Sequence, residues 1–309
     1  MKSFVMKRLV LLLVSVLTLI AQPAVADLLV FACEPEWGSL TQELGGDNVD
    51  VYSATTAFQD PHRIEARPSL IAQTRLANLL VCSGAQLEIG WLPLLLRQSG
   101  NGNIQPGGPG YVEASSLVLR LEIPSRVDRS MGDVHPSGNP HVHLDPRRVL
   151  KIATVLSTRM QQLDPDEASS YQARFKAFKT RWTKAIARWK AQAKPLKGVP
   201  VVVHHKNFTY LFDWLGIKAV GVLEPKPGIP PTVTHLAQLV SQLQTQPAKM
   251  VIRAAYESDQ ASQFLSERLG IPAVMLPYTI GGTPAADDLF GLFDDTIDRL
   301  LHGLKEGSR

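Results

Sequence analysis

Short, almost wholly apolar runs alternate with helical stretches along this chain, and that rhythm constrains the fold more than any other feature. Residues 28–33 and 79–82 are the first such runs, and residues 199–203 and 250–253 repeat the pattern later. A strand that is apolar on both faces belongs in a parallel sheet covered by helices on both sides. The sequence therefore predicts an α/β fold with mainly parallel sheets.

The rhythm occurs in two blocks, which a long helical stretch separates. This stretch starts at Asp164-Pro165 and continues to about Ala193, with aromatic residues at the helical spacing of a packing stripe. A helix of nearly thirty residues is long for a globular domain. We therefore predict two lobes, 27–163 and 195–309, each a mainly parallel sheet flanked by helices. One long rigid helix at 164–194 joins them.

The first 26 residues have the pattern of an export signal. Lys2, Lys7 and Arg8 precede an apolar run at 9–20, and Ala24-Val25-Ala26 supplies a small-residue cleavage site. An uncleaved membrane anchor is the alternative, but the run falls short of the roughly twenty residues that span a bilayer. We expect cleavage after Ala26 and a soluble periplasmic protein without a lipid anchor, since no cysteine stands at the cleavage point.

Charge and cysteine content narrow the choice of partners. The formal net charge of +4 includes three basic residues of the leader, so charge gives no support to nucleic-acid binding. We expect a monomer that does not insert into the membrane after cleavage. Cys33 and Cys82 end two predicted strands, and either a disulfide or two buried thiols would suit an exported chain.

Three histidine segments lie where apolar runs give way to polar loops. They are Asp60-Pro61-His62, the sequence NPHVH at 139–143 and the sequence HHKNF at 204–208. Neutral imidazole is a ligand suited to zinc and, less specifically, to copper, iron and nickel. The segments lie far apart along the chain, so any site that they form is made by tertiary structure.

In order along the chain, these segments and their neighbours resemble the metal-binding periplasmic proteins of zinc/manganese ABC importers, the cluster A-I group of zinc-uptake type. The matching stretches are residues 60–69, residues 79–92, NPHVHLDP at 139–146 and HKNFTY at 205–210. The resemblance implies that His62, His141 and His205 bind a metal in a cleft between the lobes. It also implies delivery of that metal to the membrane permease of an ABC transporter, with no catalytic residues and no organic cofactor.

The chain departs from the family pattern after its last predicted strand. The family usually places an aspartate ligand there, whereas residues 277–282 read PYTIGG, without a carboxylate. The fourth position is left to water, Tyr278 or a second histidine. We expect His135, in the loop before the second motif, to bind metal only loosely. We expect His143 to pack behind the site, His204 to face away from it, and His235 and His302 to lie on the surface.

Three neutral imidazoles favour Zn²⁺, with Mn²⁺ or Fe²⁺ as alternatives, because manganese gains more from oxygen ligands. A metallochaperone or an adhesin on the same fold is a second reading. A zinc hydrolase that uses an open coordination position is a third. The chain has no His-Glu-x-x-His helix to pair a general base with the metal. We therefore expect a binding protein rather than an enzyme.

Overall fold

The computed structural model describes residues 28–128 and 131–307, so the predicted signal peptide lies outside the described residues. The β-strands are β1 Leu28–Ala32, β2 Val49–Ser53, β3 Leu79–Cys82, β4 Tyr111–Glu113, β5 Pro200–Val203, β6 Lys218–Val222, β7 Met250–Ala254 and β8 Ala273–Leu276. The α-helices are α1 Pro35–Gly45, α2 Pro68–Leu76, α3 Leu92–Ser99, α4 Pro146–Leu163, α5 Ala168–Gln192, α6 Thr209–Leu215, α7 Val233–Thr245, α8 Gln260–Leu269 and α9 Leu289–Glu306.

Two four-stranded parallel sheets form the centres of the two lobes. The first has the order β2-β1-β3-β4 and the second the order β6-β5-β7-β8. In both sheets the strand order reverses beside a central strand, and ligands of open α/β sheets bind outside the carboxyl ends of the strands at this point. The predicted α/β class with two mainly parallel sheets is confirmed.

The long helix α5 joins the two lobes, as predicted. It buries Phe178, Trp182 and Trp189 completely, which confirms the packing stripe. Its arginines contact both lobes: Arg181 pairs with Glu43 of α1, and Arg188 lies 2.7 Å from Asp294 of α9. The proposed domain limits at 163 and 195 remain predictions. Within the described residues, no helix is both long and apolar enough to cross a membrane.

Two local predictions were wrong. The sequence pattern of residues 87–98 predicts a helix, but α3 starts only at Leu92, because residues 85–91 form a turn. Ala85 and Gln86 have positive φ there, of 49° and 70°, and the Glu88 carboxylate accepts the backbone N–H of Gly84. Strand β4 was missed, because it has only three residues and glycine and proline dominate the segment before it.

The question of the two cysteines is settled by strand pairing. Strands β1 and β3 are parallel neighbours. Cys33 directly follows β1 and Cys82 is the last residue of β3, and the two form a disulfide with a Cα–Cα distance of 4.8 Å. Both side chains are fully buried. The cross-link therefore ties the carboxyl edge of the first sheet at its two central strands.

Candidate metal site

Three histidines from distant segments meet at the carboxyl edges of the sheets. His62 lies in the loop after β2, His141 in the loop before α4, and His205 directly after β5. One ring nitrogen of each lies within 4.8 Å of the others. Their ring centroids are 5.6–6.0 Å apart and the ring planes are steeply inclined to one another.

Carboxylates hold two of these rings by the nitrogen that faces away from the cluster. Nδ1 of His62 lies 2.7 Å from Oδ1 of Asp60, and Nδ1 of His205 lies 2.6 Å from Oε2 of Glu224. Burial opposes ionisation of Asp60, but the hydrogen bond and charge of His62 outweigh it and lower the pKa of this carboxyl. Burial likewise opposes protonation of His205, but Glu224 outweighs it and raises the pKa of the imidazole. Such partners fix the tautomer that leaves Nε2 free for a metal.

A tyrosine holds the third ring. Nδ1 of His141 lies 3.0 Å from the hydroxyl of Tyr278, and the buried Nε2 of His141 has no hydrogen-bond partner within the described residues. Burial, followed by the nearby histidines, lowers the pKa of His141 well below its usual value. Burial also raises the pKa of Tyr278 well above its usual value, so its phenol stays neutral. The ring is therefore neutral, and its free nitrogen is able to bind a cation.

A fourth histidine stands beside the three. Nε2 of His135 lies 3.2 Å from Nε2 of His62, and the backbone carbonyl of Ala85 accepts a hydrogen bond from the His135 ring. Burial, with His62 and His205 next, lowers the pKa of His135 to about 3. Two neutral rings in this contact either share one proton or turn two lone pairs toward each other, and a cation between them would relieve the repulsion.

Behind the site, buried polar groups connect the two lobes. His143 is fully buried, with Nε2 3.0 Å from the carbonyl of Tyr278 and Nδ1 3.1 Å from Oε1 of Glu36. The other oxygen of Glu36 accepts a hydrogen bond of 2.5 Å from Thr279. His143 thus packs behind the cluster, as predicted, and Glu36 of α1 contacts the segment after β8 directly.

The remaining histidines lie outside the cluster. His204 lines a cavity of about 280 Å³ on one side of it, together with the buried Glu257. Burial raises the pKa of Glu257 to about 7, and its carboxylate accepts hydrogen bonds from Asn207 and the backbone of Ala254. His302 is 75% exposed, as expected for a surface residue. His235 lies on a helix as expected, is partly exposed, and has its ring 2.9 Å from the carbonyl of Val222.

The cleft is wider than a bare ion requires. A second cavity, of about 510 Å³, borders His135, His141 and His205 and is lined by prolines, Met131 and Val134 as well as by charged groups. The histidines lie where this cavity and the smaller one meet. A metal ion there would be reached from solution along two sides.

Sequence reasoning overlooked the residues that orient the rings. Asp60 is two residues from its histidine, and an Asp-x-His spacing is a usable signal for such a pair. Glu224 follows the neighbouring strand β6, so the parallel pairing of β5 and β6 was the signal for it. Nothing in the sequence pointed to the carbonyl of Ala85, because its position depends on the left-handed turn at 84–86.

Comparison with known proteins identifies the family of this chain. The profile of the family described as zinc-uptake complex component A, periplasmic (ZnuA), matches residues 30–303. The metal ABC transporter substrate-binding lipoprotein SloC of Streptococcus mutans is 22% identical in an alignment of 316 positions that covers 97% of this chain and 100% of SloC. The manganese ABC transporter substrate-binding lipoprotein PsaA of Streptococcus pneumoniae is 21% identical, over 86% of this chain and 85% of PsaA.

Solved structures share the fold. The crystal structure of ZnuA aligns with a TM-score of 0.74 at 21% identity and covers 90% of this chain and 99% of its own. FpvC from Pseudomonas aeruginosa, in complex with Mn²⁺, aligns with a TM-score of 0.74 at 20% identity and covers 91% and 99%. Because the family profile spans nearly all of the described residues, this chain belongs to the ZnuA family of metal-binding substrate-binding proteins of ABC transporters.

Proposed function

We propose that this protein captures Zn²⁺ with His62, His141 and His205 and delivers it to the permease of an ABC importer. The buried, unpartnered Nε2 of His141 carries this proposal. A polar atom enclosed in this way is costly to leave unpaired, and a zinc ion would satisfy it. Asp60 and Glu224 complete carboxylate–histidine pairs, which raise the basicity of metal-binding imidazoles.

His135 is the fourth ligand in this proposal. Two nitrogens bound to tetrahedral zinc at 2.0–2.1 Å lie about 3.3 Å apart. The Nε2 atoms of His62 and His135 are already 3.2 Å apart. His135 also has the backbone partner that a metal-bound imidazole needs on its other nitrogen. Tyr278 is not a ligand in this scheme, because its neutral hydroxyl serves His141.

The donor set favours zinc over the alternatives. Four neutral nitrogens suit zinc, whereas Mn²⁺ prefers carboxylate and carbonyl oxygens. The nearby carboxylates of Asp60 and Glu224 are already engaged by ring nitrogens and do not supply oxygen ligands. The same engagement supports capture over hydrolysis, since a general base would have to be free to accept a proton from metal-bound water.

Export and release complete the proposal. The leader is removed after Ala26, and the mature monomer works in the periplasm with lobes at 27–163 and 195–309 joined through 164–194. The permease receives the metal when the cleft opens at the link between Glu36 and Thr279. The mass of the protein recovered from the periplasm tests the cleavage point.

A competition titration of metal-free mature protein with Zn²⁺ and Mn²⁺ tests the site. We expect one zinc per chain, with affinity reduced more than about 100-fold by alanine at His62, His141 or His205, beyond the range of changes to outer partners. His135→Ala should cost about tenfold, and X-ray absorption should show one nitrogen fewer around zinc. His302→Ala is the control, because this ring is 75% exposed.

Two results would refute the proposal. Zinc binding that does not respond to the three alanine variants would mean that the cleft holds another ligand. Preference for Mn²⁺ in the wild type would reject the zinc assignment while leaving the site in place. Growth of a deletion strain under zinc limitation, restored by the wild type but not by His141→Ala, is the corresponding test of import.

A further inference from the structure

The outer face of α5 has a large excess of positive charge. Between Ala168 and Gly198 the chain has nine basic residues and no acidic one. The chain has 32 basic residues, of which nine lie in this segment and three in the leader. The rest of the chain therefore has 20 basic residues and all 28 acidic ones. The mature protein is therefore strongly polarised, with one basic helix set against an acidic remainder, although its formal charge is close to zero.

The arginines and lysines of this segment have different environments. Arg174, Arg181 and Arg188 turn toward the lobes, where they contact Glu43 or Asp294. The six lysines are all exposed, and within the described residues none has a carboxylate within 4.0 Å: Lys176, Lys179, Lys184, Lys190, Lys194 and Lys197. The positive charges of these lysines therefore make no ion pairs within the part of the chain that the structure describes.

The surface between the lysines is smooth. With 100° per residue, the face opposite the buried aromatic stripe includes, beside lysines, the small exposed residues Ala173, Ala177, Thr180, Ala187 and Ala191. None of the large exposed hydrophobic side chains among the described residues lies on α5. The neighbouring helix α4 has no acidic residue and adds the exposed Lys151. A flat anionic surface could approach α5 closely, but α5 has no large exposed hydrophobic side chain to insert into it.

We propose that the lysine face of α5 binds the anionic phospholipid surface of the membrane. Lysine is a compact, strongly hydrated point charge, which suits a diffuse field of headgroups, whereas a pocket for one phosphate would use the forked geometry of arginine. The helix is about 37 Å long at 1.5 Å per residue, so its lysines can act together on such a surface. Both cysteines are in the disulfide, so neither offers a thiol for a lipid anchor.

The lysine face lies away from the histidines. Helix α5 contacts α1 at Glu43, near the end of that helix, whereas Glu36 at its start faces the site. Membrane binding would therefore leave the cleft open to solution, and the protein could take up metal while held at the surface. The inference does not depend on which metal is bound.

Vesicle sedimentation of the mature protein tests the proposal. The vesicles contain phosphatidylcholine with or without about 30 mol % phosphatidylglycerol. We expect binding only to the anionic vesicles, weakened by salt because the charges are exposed. K176Q/K179Q/K190Q should reduce partitioning at least about tenfold. The arginine version of the same triple variant should restore it.

A matched control separates the helix from overall charge. Arg67, Arg97 and Arg268 are exposed on other faces, and their triple glutamine variant makes the same change in net charge. This control should stay within about twofold of the wild type. Zinc titration of both variants checks that the fold is intact. Equal losses in the two triple variants, no binding to anionic vesicles, or binding to heparin without binding to vesicles would each overturn the proposal.

Discussion

The two sheets share one strand order, but their carboxyl edges carry different groups. The first edge is cross-linked by Cys33–Cys82 and has the buried carboxyls of Glu34 and Glu88 behind it. Its lobe supplies His62, His135 and His141. The second edge has no cysteine and supplies His205 and the hydroxyl of Tyr278. Most of the nitrogens therefore lie on one cross-linked lobe, and the other lobe completes the set.

This difference teaches how one scaffold can both hold and release an ion. A stiff edge keeps most ligands in place, while the contacts of the second lobe depend on how closely the lobes approach. Thr279 to Glu36 and Tyr278 to His141 are the contacts that would be lost as the lobes separate. This contrast between the lobes is wrong if the carboxyl edge of the first sheet is not the more stable one, or if metal binding does not need the second lobe.

Removing the cross-link should have the largest effect. The cysteines are 49 residues apart, and loop-closure entropy for such a loop corresponds to about 4 kcal/mol of unfolding free energy. We expect C33A/C82A to lose an amount of this order in urea unfolding followed by tryptophan fluorescence. The wild type unfolded in the presence of reductant should lose as much, and reductant should not affect the double variant. An unchanged midpoint would show that the first edge is stable without the bond.

Each lobe also has a buried carboxyl whose titration affects stability. Burial raises the pKa of Glu88 to about 7, and burial raises that of Glu257 to about 7 in the second lobe. The folded protein then binds a proton that the unfolded chain releases above pH 4.5, so each group destabilises the fold as pH rises through this window. A shift of this size corresponds to roughly 3 kcal/mol.

We therefore expect Glu88→Gln to gain stability relative to the wild type as pH rises from about 4.5 to 7. Glu257→Gln should behave in the same way if the two lobes are equivalent in this respect. The measurement is urea unfolding at several pH values, and Glu267→Gln on the exposed face of α8 is the control. A difference that stays constant with pH would show that these carboxyls are ionised throughout.

The partners of the ligand rings should matter next, and unequally. Loss of an outer partner of a metal-bound histidine typically costs 10–100-fold in metal affinity. Glu224 is 12% exposed and Asp60 is 36% exposed, so water replaces the lost bond less well at Glu224. We expect Glu224→Gln to weaken zinc binding more than Asp60→Asn in a competition titration. The reverse order would make the Asp60–His62 pair of the first lobe the more important contact and contradict this expectation.

The elements that follow from local chemistry could be predicted from the sequence. Apolar runs gave the central strands, and Asp145-Pro146 marked the start of α4, where the Asp145 side chain accepts the N–H of Arg147. The three histidines stood out because strand ends place side chains at one edge of a sheet. Strand β4 could not be predicted, because three residues are too few to show a periodic pattern.

What could not be predicted depends on positions that only the folded chain defines. The turn at 84–86 requires a positive φ at Ala85, and alanine does not indicate such a conformation. The carboxylates of Glu88 and Glu113 accept hydrogen bonds from the backbone N–H groups of this turn. The place of His135 follows from that turn. The raised pKa of Tyr278 results from burial between the lobes, which no local pattern reveals.

Tyr278 gives the smallest expected effect and the sharpest test of metal preference. Its φ is 66°, a conformation that aspartate adopts more readily than tyrosine, so Tyr278→Asp suits the backbone and adds an anionic oxygen at the site. Because manganese gains more from oxygen ligands, the ratio of zinc to manganese affinity should fall. Tyr278→Phe removes only the hydroxyl beside His141 and should weaken zinc binding by no more than about tenfold.

Competition titration with both metals measures the two variants. Tyr256→Phe is the matched control, since this half-buried phenol lies against Tyr278 and bonds Asn207 rather than a histidine. An unchanged metal ratio in Tyr278→Asp would mean that the second lobe does not reach the ion through this segment. His205 would then be its whole contribution, and the choice of metal would rest with the first lobe.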